Sequence, residues 1–340
     1  MANIRIQELA DMMGVSRTTV WKALNNRPGV SDEVRKRIFD RACEAGIIDR
    51  AQGEPHSPHP HRKCVSVAVA RMESSVFWMN IIHNIAIELA RHDVDLMYTC
   101  LPSAAHDDYR MPAAFENVSG VIVLNVYDEK LLMQLAQLNM PKVFLDTVPG
   151  VPFQRLNGDL VLVEGLSATS EITRRLLETK RTRLGFIGDP HYAQTNADRY
   201  QGFLCAHQAL GFKPDPALSL VKPINMNRYR EEIGDFLDHM SEIPDGFVCA
   251  SDFVAQCVMH HLNETKRLLP ERFELTGFDN SQEFESVAGK ITTTDVQTHA
   301  IGRRLAQRIL FLIDYPNTPS EVSYIMSSVM FRGSLSLAAR

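Results

Sequence analysis

The chain has 340 residues, 45% of them hydrophobic and 23% charged, with a formal net charge of −5. That length exceeds one ordinary hydrophobic core, so a small domain plus one or two larger ones is expected. The polar start and the lack of any run of about eighteen apolar residues argue against a signal peptide and a membrane span, so a cytoplasmic location and no membrane partner are expected. Mild acidity argues against indiscriminate nucleic-acid binding. The first fifty residues nevertheless carry nine basic residues against seven acidic ones, a locally positive end on an acidic body. The six cysteines are scattered without a C-x-x-C pair, which suggests buried thiols in a reducing compartment and no metal site.

In chain order, the first pattern is IQELADMMGVSRTTVWKALN, Ile6 to Asn25. Its apolar residues Leu9, Ala10, Met13, Val15, Val20 and Leu24 predict two short helices broken at Gly14, with Ser16 placed to start the second. This is the pattern of a helix-turn-helix, in which the second helix lies in the DNA major groove. Thr19, Val20, Ala23 and Leu24 pack inward, leaving Arg17, Thr18 and Lys22 outward. Arg17 or Lys22 suits guanine O6/N7, and Thr18 a base edge or a thymine methyl. Ser16 and Thr19 suit phosphates. A third helix is expected from Ser31, an N-cap followed by Asp32 and Glu33, with Val34, Ile38, Phe39 and Ala42 on one face. Asn25 and Ser31, flanking the turn before it, complete the candidate DNA-contacting set.

The segment IDRAQGEPHSPHPHRK, residues 48–63, loses all periodicity, and Gly53, Pro55, Pro58 and Pro60 exclude a regular helix through its middle. It reads as a linker, with His56, His59 and His61 solvated rather than metal-binding. The expected organisation is a helix-turn-helix domain over 1–48, a Pro/His-rich linker over 49–63 and a bilobal effector-binding and dimerisation domain over 64–340.

From Cys64 onward, β-rich runs alternate with amphipathic stretches. Strands are predicted at 65–70, 94–99, 120–125, 142–146, 183–189, 246–250 and 273–278, and helices near 78–91, 128–138, 164–179, 198–210, 228–240, 252–268 and 299–313. Such alternation predicts parallel sheets covered on both faces, and the length favours two lobes. In open α/β sheets the ligand sits beyond the carboxyl ends of the strands. Phe77 and Trp78 fall there, suited to a sugar's apolar face or to helix packing. Asn125, Asp146, Ser251 with Asp252, and Asp279 with Asn280 also end strands, suited to hydroxyl groups or to capping turns. No P-loop, G-x-G-x-x-G, H-E-x-x-H or G-x-S-x-G pattern occurs, so neither an enzyme nor a cofactor is expected.

The segment GVSRTTVWKALNNRPGVSDEVRKRIFDRACEAG, Gly14 to Gly46, resembles the N-terminal DNA-binding domain of the LacI/GalR family. NADRYQGF (Asn196–Phe203), TTTDVQTHAIG and the closing RGS (Arg332–Ser334) resemble later family segments, so the likeness spans nearly the whole chain. The resemblance implies a homodimeric regulator, usually a repressor, that binds operator DNA under control of a small effector, most simply a sugar. It implies a helix-turn-helix head followed by a bilobal α/β periplasmic-binding-protein-like core with parallel sheets. It also implies that Arg199 contacts the effector, with Gln297 and His299 either in the cleft or in a crossover. A sugar phosphate, a nucleobase, or a receptor working through a protein partner are the alternative readings. Three positions depart from the family pattern. Arg5 stands where a cap before the first helix is common. Trp21 replaces a small residue and either covers the head core, the favoured reading, or lies along the sugar–phosphate backbone. The linker lacks the Ala-Arg-x-Leu stretch that wedges the minor groove, so no such wedge is expected.

Overall fold

The computed structural model describes residues 2–24, 29–45, 63–70, 75–104, 109–225 and 228–339. The chain separates into two units, Met1–Lys63 and Cys64–Arg340. Asn25 and nearly all of the linker, including its three histidines, lie outside the described residues.

The head holds three helices, α1 (Ala2–Met13), α2 (Arg17–Leu24) and α3 (Asp32–Glu44). The first ends in a Schellman turn, in which the Val15 amide donates to the Ala10 carbonyl and the Gly14 amide to that of Asp11. Gly14 sits at φ +65°, a conformation a residue without Cβ adopts freely. Leu9, Ala10, Val20, Ala23, Ile38 and Ala42 form the small core, with Met13, Val15, Leu24 and Val34 packed against it. Two expectations need correction. Arg5 lies inside α1 rather than ahead of it, because the helix begins at Ala2. Trp21 is 46% exposed and does not cover the core, since α2 turns Val20 and Ala23 inward and carries position 21 to the opposite side.

The larger unit is two parallel-sheet lobes. The first lobe contains β1 (Cys64–Val69), α4 (Val76–Ala90), β2 (Asp95–Cys100), β3 (Gly120–Leu124), α5 (Glu129–Ala136), β4 (Lys142–Leu145) and β5 (Asp159–Val163). The second contains α6 (Leu166–Glu178), β6 (Leu184–Ile187), α7 (Gln194–Ala209), α8 (Tyr229–Asp238), β7 (Gly246–Cys249), α9 (Asp252–Thr265) and β8 (Glu274–Thr276). The chain then returns through β9 (Thr293–Asp295), α10 (Thr298–Asp314), β10 (Val322–Ile325) and β11 (Ser328–Met330). The first sheet runs β10-β5-β4-β3-β1-β2, all parallel, and the second β6-β7-β8, while β11 pairs antiparallel with β9.

Strand period assigns the side chains to two faces. In the first lobe Ile122, Val143, Leu145 and Val161 join Ile81, Ile85, Leu305 and Ile309 of α4 and α10 on one face. Val121, Val123, Phe144, Leu160 and Leu162 line the other. A Cβ built on Gly302 would lie 2.4 Å from the Ile81 carbonyl oxygen, so α10 approaches α4 more closely there than any side chain permits. In the second lobe Phe247 and Cys249 face one cluster and Val248 and Ala250 the other.

All seven predicted strands and all seven predicted helices are present. The sequence reading lacks β5, β9, β10 and β11. The strands β9 and β11 are three residues each, too short to show a period, and β10 is an edge strand whose residues alternate between exposed and half-buried. Lobe crossovers occur at residues 164–165, 295–298 and 325–328, so α10 and β10 belong to the first lobe although they follow the second.

Candidate functional site

The head presents the start of α2. Ser16 Oγ accepts from the Thr19 amide at 3.0 Å and lies 2.8 Å from Thr19 Oγ1, so the two hydroxyls cap the helix together. Arg17 and Thr18, in the first turn, are exposed, and Lys22 is half-buried. Ser31 caps α3 through the Val34 amide. The residue missed by sequence reading is Arg35. It is 7% exposed and donates to the carbonyls of Lys22, Ala23 and Val30 at 3.3, 3.2 and 3.3 Å. A cation there satisfies the open carboxyl end of α2 and fixes the turn that follows it. Arg35 therefore positions the candidate recognition helix and is not a groove contact.

In the core unit the candidate residues gather where strands end. Asn125 follows β3 at φ +54°, Asp146 follows β4 at φ +68°, and Asp279 and Asn280 follow β8 at φ +108° and +52°. Asn and Asp tolerate this region better than other residues with a side chain, and such strain concentrates at functional sites. Asp146 joins the lobes: its carboxylate accepts from the Thr195 hydroxyl at 2.5 Å, the Thr195 amide at 3.3 Å and its neighbour Thr147's amide at 2.8 Å. Thr195 opens α7, and the Gln194 amide beside it donates to the Thr147 carbonyl at 2.7 Å. The Tyr127 hydroxyl reaches the same carboxylate at 3.4 Å, and its ring meets that of Tyr192 with centroids 4.4 Å apart. Burial raises the Asp146 carboxyl above its ordinary range, an effect reduced by these donors and by Arg199.

Arg199, on α7, is 8% exposed. Its Nη1 donates to the Ala250 carbonyl at 2.5 Å, its Nη2 stands 3.8 Å from Asp279, and its guanidinium lies over the Phe278 ring at 3.7 Å. Burial, with added repulsion from Asp252, pushes the Asp279 carboxyl up to about 7 against the pull of Arg199. Asp252 is pushed up to about 6 by burial, even though the Thr293 hydroxyl and the Ser281 amide donate to it. Asn125 Nδ2 and Arg199 Nε are buried without a hydrogen-bond partner among the described residues.

Beside Asp279 lies a cleft of about 250 Å³, bounded by Val76, Phe77 and Asn80 at the start of α4, by residues 279–283, and by residues 295–299. Phe77, Asp279, Gln297 and His299 all line it. Trp78, Asn125, Asp146, Arg199 and Ser251 do not. The Trp78 ring packs against the lobe core edge-on to Phe77, because one helical step carries it off the cleft face. Ser251 caps α9 through the Val254 amide, the role its place before a helix favours. Glu283 and Thr195 are the contributors absent from the predicted site set. Glu283 accepts from Ser75 Oγ at 3.2 Å and the Val76 amide at 2.8 Å, capping α4 from the other lobe. Thr195 was concealed because α7 starts at Gln194, four residues before its predicted beginning. Among the described residues no group of three or more His, Cys, Asp or Glu side chains is arranged to hold a metal ion.

A helix-turn-helix head and a two-lobed core of parallel sheets, cleft between the lobes, define a class of ligand-responsive regulators. The family model for periplasmic binding protein-like domains matches residues 173–335. The transcriptional regulator CelR of Thermobifida fusca is 22% identical over 313 residues, 90% of each chain, and AglR of Rhizobium meliloti (strain 1021) is 25% identical over 331 residues, 92% of this chain and 90% of its own. The structure of a CelR–cellobiose complex superposes with a TM-score of 0.67 at 21% identity, covering 97% of this chain and 99% of that one. A lac repressor dimer bound to operator superposes at 0.64 with 16% identity, covering 96% and 97%. Over nine-tenths or more of its length the chain is thus similar to curated HTH-type transcriptional regulators and shares the fold of LacI-family structures.

Proposed function

We propose that this protein is a sequence-specific, DNA-binding transcriptional regulator, acting as a homodimeric repressor whose grip on its operator is set by a small effector held between the lobes. The observation that carries the reading is the capped start of α2, which leaves Arg17 and Thr18 exposed on a helix whose inner face is fixed by Val20, Ala23 and Arg35. Curated relatives include regulators and PurR repressors, and solved relatives include complexes with cellobiose, with ribose and with operator DNA. In this reading Arg17, Thr18 and Lys22 meet base edges, and Ser16, Thr19, Asn25 and Ser31 the phosphate backbone. The cleft binds rather than catalyses, with Phe77, Asp279 and Gln297 on its wall and Asn125, Asp146 and Arg199, which do not line it, as further effector contacts. DNA as target places the protein in the cytoplasm.

The effector needs only to prefer one lobe arrangement over another, and the coupling typical of such systems is about 1–3 kcal/mol. Enrichment of genomic fragments on the immobilised protein, followed by fluorescence anisotropy on the enriched site, tests the reading. One sequence is expected to bind orders of magnitude more tightly than random DNA, with affinity falling steeply as salt rises. Equal affinity for all fragments, or none, refutes it.

A further inference from the structure

The lining of the cleft is one-sided in charge. Asp279, Glu283 and Asp295 contribute carboxylates to its wall, and no lysine or arginine lines it among the described residues. Residues 71–74, RMES, lie outside the described set and carry one arginine and one glutamate. The nearest buried cation, Arg199, is shared: it is the attractive charge felt by Asp146, Asp198, Asp252 and Asp279 together. Two of its nitrogens are engaged, Nη1 with the Ala250 carbonyl and Nη2 toward Asp279, and Arg199 is not among the residues lining the cleft. Arg332, the other cation close by, donates to the Ile291 carbonyl at 3.2 Å and to Asn280 Oδ1 at 2.7 Å.

The neutral groups point to a different occupant. The Phe77 ring offers an apolar face, and Asn80 and Gln297 offer amides that both donate and accept. Carboxylates accept paired hydroxyls well, and a volume of about 250 Å³ stands at the small end of ligand pockets, with room for a single ring.

Resting on the effector reading of the cleft, we infer that the site takes an uncharged polyhydroxylated ring and rejects its phosphorylated counterpart, with Asp279 and Asp295 as the rejecting groups. A phosphate entering here meets the carboxylates of Asp279, Glu283 and Asp295 and, among the described residues, no lysine or arginine on the cleft wall to pair with. Like charges a few ångströms apart in protein surroundings weaken binding by about tenfold or more for each pair. At pH 8, where Asp279 (its carboxyl pushed up to about 7) is mostly ionised, the matched phosphate is therefore expected to bind at least about a hundredfold more weakly than its parent sugar.

Calorimetric titration of the full-length protein tests this with glucose, galactose, cellobiose and ribose, each beside its available 1- and 6- or 5-phosphates, and with operator affinity recorded on the same preparation. At least one uncharged sugar is expected to bind and its phosphates to fall away. D295N, and separately D279N, are expected to narrow that gap by about tenfold. Using two variants covers the case in which one fails to fold. A phosphorylated member that binds as tightly as its parent, or a gap unchanged in both variants, overturns the inference. Failure of every uncharged sugar with operator binding intact also overturns it, while leaving the DNA-regulator reading standing. Sugar binding without any operator binding leaves the charge selection in place and refutes that reading instead.

Discussion

Replacing Arg35 with alanine removes a buried guanidinium that holds three backbone carbonyls at the end of α2. Hydrogen bonds from a charged donor contribute about 1.5–3 kcal/mol each in isolation, but these are long and share one side chain, so about 2–4 kcal/mol in total is expected. A head of this size carries only about 2–7 kcal/mol of stability. R35A should therefore leave a large share of heads unfolded at 25 °C while the core unit stays intact. Trp21 and Trp78 are the only tryptophans, one in each unit. In a W78F background, Trp21 fluorescence reports the head alone. The R35A head should melt well below the wild type, and apparent operator affinity should fall by the unfolded fraction and recover on cooling. R35K should restore part of the loss, because an ammonium reaches fewer carbonyls in fixed geometry. If Trp21 reports an unchanged melt while operator affinity drops uniformly with a shallower salt dependence, Arg35 is a phosphate contact and the reasoning fails.

R17A is expected to cost about 1–3 kcal/mol in operator affinity and to relax specificity at one base pair; a uniform loss across sequences in competition anisotropy would make Arg17 a backbone contact. R199A should retain operator binding and lose the effector response, and an unchanged ligand affinity by calorimetry would remove Arg199 from the site. Asp279, pushed up to about 7, and Asp252, to about 6, keep protons in the folded state that the unfolded chain releases near about pH 4. Their contribution to core stability should therefore be greatest below about pH 4 and fall as pH rises, by up to about 1.4 kcal/mol per pH unit for each group, levelling off above about pH 6 for Asp252 and about pH 7 for Asp279. D279N should flatten the decline between pH 6 and 7; the same slope in wild type and variant, measured by chemical denaturation, would contradict the assignment.

The parts legible in the sequence were those where one physical signal dominates. The head could be read because Gly14, Ser16 and Ser31 punctuate helices whose apolar spacing names the core. The parallel strands could be read because runs such as GVIVL are buried on both faces. Arg199 came from the family resemblance; it is buried beside Asp279, off the cleft wall. Arg35 was hidden because a buried arginine and a solvated one look alike in a basic stretch. Asp146 was found as a strand-end acid, but its bond to Thr195 joins residues whose neighbourhood is created only by lobe closure. Trp78 and Ser251 were each left with two readings, and the structure shows the core-packing one for Trp78 and the capping one for Ser251. Such choices fall below what spacing can resolve.

The late return of α10 and β10 to the first lobe bears on how the molecule is made. As the chain leaves the ribosome, β1 to β5 emerge with one sheet face covered only in part, by α4, and the β5 edge unpaired. They stay that way until residues 298–325 arrive, after most of the second lobe, whose last pieces, β11 and Leu335, follow. Loop closure over that separation slows folding and leaves apolar surface available for aggregation. Most of the second lobe can thus assemble before its neighbour is completed, and the last residues finish both lobes. Premature stops beyond residue 292 should accordingly damage the first lobe more than the one just synthesised.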